Sequence, residues 1–206
     1  FPAAAVERQR RQMLVALQAV KQSPDKLGER AFYQAIYGDH PYATPPSGTE
    51  DSVKAIRRDD VVAFYRRHYT APNAVVALTG DLSREQAAAI ARTLTAGLPR
   101  GEAPPPLPPV PKPTQGAQHR VPFASSQTHV YIGAPAIDRA SPDYFAFAVG
   151  NHVLGGGGLV SLLNQAMREQ RGLSYSNASY FVPSARPGPF IISTQVRNER
   201  VDDLLT

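Results

Sequence analysis

Cysteine is absent from the chain. That excludes a disulfide framework, a cysteine zinc site, an iron–sulfur cluster and a thiol nucleophile. Long apolar runs are absent too. None approaches the ~18 residues a membrane-spanning helix needs, so no membrane insertion is expected. The opening Phe1-Pro2-Ala3 lacks the charged-then-apolar layout of a secretion signal, which suggests a processed chain or an internal fragment. Charged residues are scarce at 19%, below the usual quarter or so, which argues against a wholly disordered chain. The five histidines, His40, His68, His119, His129 and His152, show no HxxH or HxxxH spacing. A zinc site built from them would need long-range convergence.

The 206 residues are 42% hydrophobic, enough for a core and for one large domain or two small ones. The 22 basic and 17 acidic residues sum to +5. The basic residues come as pairs, Arg10-Arg11, Arg57-Arg58 and Arg66-Arg67, on predicted helices, without interleaved aromatics. They read as a solvated surface, and no nucleic acid partner is expected. Residues 99–113 hold eight prolines. Proline fixes φ and removes backbone donors, so this stretch is neither a helix nor a central strand. It reads as an extended linker, with an SH3-type ligand as the alternative. The expected division is 1–98, a linker over 99–117, and 118–206.

Both flanks look α+β. Met13, Leu14, Leu17 and Val20 recur at helical spacing. Asp59 and Asp60 favour a helix start ahead of Val61, Phe64, Tyr65 and His68. Residues 74–79, AVVALT, read as a buried strand. Ser83 and Gln86 form a capping box for a helix carrying Ile90, Ala91 and Leu94. After the prolines, Thr128, Val130 and Ile132 alternate with His129 and Tyr131, as in a strand. Ser141-Pro142 opens a helix to about residue 154, apolar nearly all round and expected to be buried. Four glycines follow, then a helix over about 159–169, strands over 173–182 and 189–197, and a helix start at Val201.

Several familiar signatures fail. Gly155-Gly156-Gly157-Gly158 precedes a helix, but Leu159-Val160-Ser161 stand where a P-loop needs Lys and Ser/Thr. The dinucleotide fingerprint needs glycine where Val160 stands. Tight packing or a hinge is the expected role of these glycines. Gly172-Leu173-Ser174-Tyr175-Ser176 begins like a nucleophile elbow and ends in Ser instead of Gly. Asn177-Ala178-Ser179 matches a glycosylation sequon, a tripeptide common by chance.

Three segments resemble the insulinase/pitrilysin metallopeptidase family, which includes mitochondrial processing peptidase and bacterial zinc peptidases. The first is Tyr37-Gly38-Asp39-His40-Pro41-Tyr42, followed by Gly48 and a helix ending Phe64-Tyr65-Arg66-Arg67-His68-Tyr69. The second is residues 72–81, PNAVVALTGD. The third is residues 154–176, LGGGGLVSLLNQAMREQRGLSYS. The resemblance implies an α+β fold: parts of two homologous domains, each an antiparallel sheet covered by helices, joined by the proline-rich linker. It also implies a hydrolase that closes around unfolded peptides. One unit carries zinc on an HxxEH motif with a third Glu ligand, and an opposing unit supplies an Arg and a Tyr seven residues apart.

Arg168 and Tyr175 match that spacing. The resemblance makes them the catalytic and substrate-binding pair, with Gly156 and Gly157 as further substrate contacts. Without it they read as a helix-end charge and a half-buried strand residue. The zinc half does not match. HxxEH is absent, the third ligand position falls on Ala16, and another acidic position falls on Gln9. No metal is expected on this chain, and zinc is expected on a homologous partner subunit or domain.

The leading expectation is a non-zinc half or subunit of a zinc metalloendopeptidase, inactive alone, with peptide as substrate. A non-catalytic structural or binding subunit is one alternative. A complete zinc protease with ligands upstream of Phe1, and Glu7 as third ligand, is another. A bacterial periplasmic or envelope setting fits the resemblance, with cytoplasmic and mitochondrial ones as alternatives.

Overall fold

The computed structural model describes residues 1–206, which divide into two compact units. One comprises residues 1–14 and 50–106, the other residues 15–49 and 107–206. Helix α1 (Ala3–Val20) belongs to both.

The first unit is helical: the start of α1, then α3 (Glu50–Ala55), α4 (Arg58–His68) and α5 (Arg84–Thr95). Its ends are satisfied locally. Arg10 donates to the carbonyls of Val53 (2.9 Å) and Lys54 (2.8 Å) at the end of α3, where a helix leaves carbonyls unpaired. The Asp60 carboxylate accepts from the Arg57 N–H at 2.7 Å. The expected capping box forms: Ser83 Oγ accepts from the Gln86 N–H, and Gln86 Oε1 from the Ser83 N–H. Residues 74–79 depart from expectation. They form no strand, and Val75 is 95% exposed. A strand needs a neighbour for its backbone groups, and this unit supplies no extended segment paired with it.

The second unit holds α2 (Pro24–Tyr37) against a three-stranded antiparallel sheet of order β1–β3–β2. The strands are β1 (Gln127–Pro135), β2 (Asn177–Phe181) and β3 (Pro189–Arg197). Tyr131 pairs with Ser193, and Asn177 with Thr194. The core comprises Phe32, Ile36, Tyr37, Ala43 and Ile191, with Tyr33, Tyr42, Val110 and Tyr131 packed around it. The core face of β1 carries Tyr131, while Ile132 is exposed. Gly28 gives the Tyr131 ring room on α2, and Asp25 Oδ1 accepts a hydrogen bond from its hydroxyl. Gly133 is required by close approach, since a Cβ there would fall 1.9 Å from the Phe190 carbonyl oxygen.

Residues 99–113 contain neither helix nor strand, as their prolines demand. From Leu107 onward they are tied down. Arg186 donates twice to the Leu107 carbonyl (3.0 and 2.9 Å), and a His40 ring nitrogen lies 3.2 Å from the Pro108 oxygen.

Helix α6 (Tyr144–Asn151) starts later than Ser141-Pro142 suggests, because Ser141 Oγ accepts from the Asp143 N–H in a turn. Nor is it buried all round: Phe145 and Val149 are 76% and 67% exposed. Its apolar faces outnumber the surfaces this chain provides to cover them. It continues as a wide π-type turn, His152–Gly156, that carries the glycines. Then come α7 (Leu162–Asn164), a second π-type stretch (Gln165–Gln170) and, after β3, α8 (Val201–Leu205).

Candidate functional site

The site is built on the segment from the glycine run to β2. Gly155 is buried because the turn lies directly on β2: a Cβ there would stand 2.4 Å from Ser179 Oγ and 2.6 Å from its backbone nitrogen. Asn151 clamps the same strand residue. Its Nδ2 donates to the Ser179 carbonyl at 3.0 Å, and its Oδ1 accepts from Ser179 Oγ at 2.7 Å. The glycine run is therefore a close helix–strand contact. Gly156 and Gly157 lie in this turn, with room for a Cβ denied by Asn151 and His152 respectively. Gly158 reverses the chain at φ +64°.

Arg168 lies in the π-type stretch after α7. A π turn carries one extra residue per turn and recurs at functional sites. Gly172, at φ +58°, ends the stretch. The N–H groups of Gly172 and Leu173 return to the carbonyls of Arg168 (3.1 Å) and Met167 (2.8 Å), a glycine-closed helix end. Leu173 and Ser174 then turn inward and Tyr175 outward, 80% exposed.

The result is a stack. The Arg168 guanidinium carbon lies 4.6 Å from the Tyr175 ring centroid, within the range of a cation–π contact. Arg168 Nε also lies 3.4 Å from Glu169 Oε1, and its side chain is 29% exposed. The structure thus brings Arg168 and Tyr175 together, and Tyr175 is an outward loop residue rather than a half-buried strand residue. Between this pair and the glycine turn stands Asn164, whose Nδ2 reaches the Gly158 carbonyl (2.9 Å) and the Asn177 carbonyl (2.8 Å). Sequence reasoning gave Asn164 and Thr194 no role and met Ser174 and Asn177 only in a failed nucleophile elbow and a chance sequon; all four are buried. The available signal was an asparagine, a poor helix former, inside a predicted helix.

The residues present do not fit a zinc ion. Glu7 pairs with Arg10 at 3.1 Å, and Ala16, where the family resemblance would place the third ligand, has no donor atom. No group of three His, Cys, Asp or Glu residues converges to hold a metal.

Comparison with known proteins identifies the family. A family model described as the peptidase M16 inactive domain matches residues 55–206. An uncharacterized zinc protease of Streptomyces coelicolor is 32% identical over 206 residues, spanning 97% of this chain and 45% of the relative. A Helicobacter pylori protein named non-peptidase homolog YmxG is 30% identical over 178 residues, spanning 85% of this chain and 40% of the relative. The crystal structure of a peptidase M16 inactive domain from Pseudomonas fluorescens superposes with a TM-score of 0.95 at 40% identity, covering 100% of this chain and 50% of that one. The chain thus spans about half the length of the relatives it matches. A family-model match over residues 55–206, with relatives at 30% identity or more along most of the chain, leads to one assignment: the chain belongs to the peptidase M16 inactive-domain family.

Proposed function

We propose that this chain is the non-zinc half or subunit of a zinc-dependent metalloendopeptidase acting on peptides or unfolded proteins, with Arg168 and Tyr175 as its substrate-binding pair. The observation that carries the reading is the outward-facing stack of the Arg168 guanidinium on the Tyr175 ring. A planar fork of donors can hold a peptide carbonyl, and a phenol can donate to a developing oxyanion. Stacking restrains both side chains before substrate arrives. Gly156 and Gly157 belong to the reading as further backbone contacts for an extended peptide. Zinc is assigned to a homologous partner subunit or domain, since this chain's residues do not fit it. The bacterial periplasm or cell envelope is the proposed compartment, to be checked by fractionation.

The test is the double variant Arg168→Ala/Tyr175→Phe in the full-length chain, combined with its zinc-bearing partner and assayed on a quenched fluorogenic peptide. Loss of one oxyanion donor costs roughly a hundredfold to a thousandfold in turnover, and a loss of that order is expected. Unchanged turnover would sink the reading. A second reading, a non-catalytic structural or binding subunit, draws support from the Helicobacter pylori relative named a non-peptidase homolog. In that case the double variant assembles and behaves like the parent protein.

A further inference from the structure

Asn164 is 3% exposed, and its amide nitrogen lies 2.9 Å from the Gly158 carbonyl, 3.1 Å from Ser161 Oγ and 2.8 Å from the Asn177 carbonyl. Ser161 Oγ itself donates to Gly158 O at 2.7 Å. Asn177 extends the chain of contacts inward. Its Oδ1 lies 2.6 Å from Thr194 Oγ1, which in turn lies 2.8 Å from Ser174 Oγ. An amide oxygen only accepts, so the Thr194 proton goes to Asn177. Ser174 then supplies the next proton, to Thr194 or to the Ser176 carbonyl 3.1 Å away.

These contacts join the segments that build the candidate site. Gly158 ends the glycine turn. Asn164 lies one turn before Arg168. Ser174 and Ser176 flank Tyr175 on either side. Thr194 anchors the whole to β3, opposite Asn177 in the sheet. Asn164, Ser174, Asn177 and Thr194 are all buried, while Tyr175 projects outward from them. A satisfied buried network holds one geometry, because each member loses its partner if another moves.

We infer that Asn164, Asn177, Thr194 and Ser174 form a positioning network that sets the Arg168–Tyr175 stack and locks it to the glycine turn. None of the four touches substrate; they act through Tyr175 and Gly158. The inference rests on the reading of Arg168 and Tyr175 as substrate-binding groups.

The test uses Thr194→Val, which removes the hydroxyl at nearly constant shape, and Thr194→Ser, which keeps it, both in the full-length chain. The primary readout is the upfield ring-current shift of the Arg168 side-chain resonances, measured by NMR, because it reports the stack whether or not the protein cleaves anything. Thr194→Val is expected to lose most of that shift and Thr194→Ser to retain it. Turnover with the zinc-bearing partner should follow, falling roughly tenfold in Thr194→Val, since a misplacement of about 1 Å can cost about a hundredfold. A purely structural role would lower the melting temperature and leave the shift intact. A folded Thr194→Val with a parental ring-current shift overturns the proposal, whatever its turnover. If Thr194→Val does not fold, Ser174→Ala, which removes a single oxygen, is read in the same way. Should Arg168→Ala/Tyr175→Phe cleave normally, the functional reading has failed, and the ring-current shift still decides whether the network sets the pair.

Discussion

The Arg168 guanidinium lies over the Tyr175 ring, 4.6 Å from its centroid, although the two residues are seven positions apart and belong to different segments. Seven extended residues would span more than ~20 Å. The left-handed Gly172 reverses the chain between them, and the buried Ser174 turns its neighbour Tyr175 outward onto the arginine.

That geometry separates the contributions of ring and hydroxyl. Tyr175→Phe keeps the ring under Arg168 and removes only the donor. Peptide turnover should fall about a hundredfold, with stability within about 0.5 kcal/mol of the parent because the residue is exposed. Arg168→Lys should also lose activity, since an ammonium has neither the fork nor the flat stacking surface. Steady-state kinetics with parallel thermal melts would reveal a mistake if Tyr175→Phe lost stability and kept turnover.

Two neighbouring glycines should respond in opposite directions. Gly155→Ala drives a Cβ to 2.4 Å from Ser179 Oγ and should destabilise the fold by about 1–3 kcal/mol through overpacking. Gly150→Ala, on α6, meets nothing within 4 Å and should stabilise by up to about 1 kcal/mol from helix propensity. Urea midpoints of the two variants check the sign of each.

Alkaline pH should unfold the protein through the tyrosines packed in and around its core. The Tyr131 hydroxyl is pushed up by burial first and by the Asp25 carboxylate it donates to second. Burial raises Tyr33 and Tyr37 as well. Below about pH 10, where unfolded tyrosine ionises, both states keep these protons and the stability is fully present. Above it the unfolded chain releases protons that the folded chain retains, so stability falls as pH rises toward the folded-state values. Urea midpoints should drop between about pH 10 and 12, with tyrosinate absorbance appearing together with unfolding. Tyr131→Phe should make the fall less steep. A midpoint independent of pH across that range would contradict the assignment.

Zinc content tests the division of labour. The full-length chain, purified alone and dialysed against trace zinc, should hold well under one zinc per chain. Zinc near one per chain would mean that Glu7 or a residue upstream of Phe1 is a ligand, and that the Glu7–Arg10 pair opens to bind metal.

Local features were legible in the sequence where a few adjacent residues carry the physics. The Ser83–Gln86 capping box is two reciprocal bonds across three residues, and it formed as read. The strand expected over residues 189–197 became β3 with those bounds. Other readings went astray where burial was inferred from composition. Residues 74–79 are as apolar as a core strand yet stay unpaired, and α6 is apolar nearly all round yet exposes Phe145. Apolar character states a preference for burial; a covering surface has to come from elsewhere.

By itself the sequence determined the α+β class, the irregular proline stretch, the Ser83–Gln86 cap and the family, because such a cap, proline geometry and motif order are written in short runs of residues. Only the tertiary structure decided that Tyr131 rather than Ile132 faces the core, that Gly155 lies against Ser179, and that Asn164 reaches both the glycine turn and Asn177. Those contacts depend on which distant segments the fold brings within hydrogen-bonding or van der Waals distance. No local pattern encodes that distance.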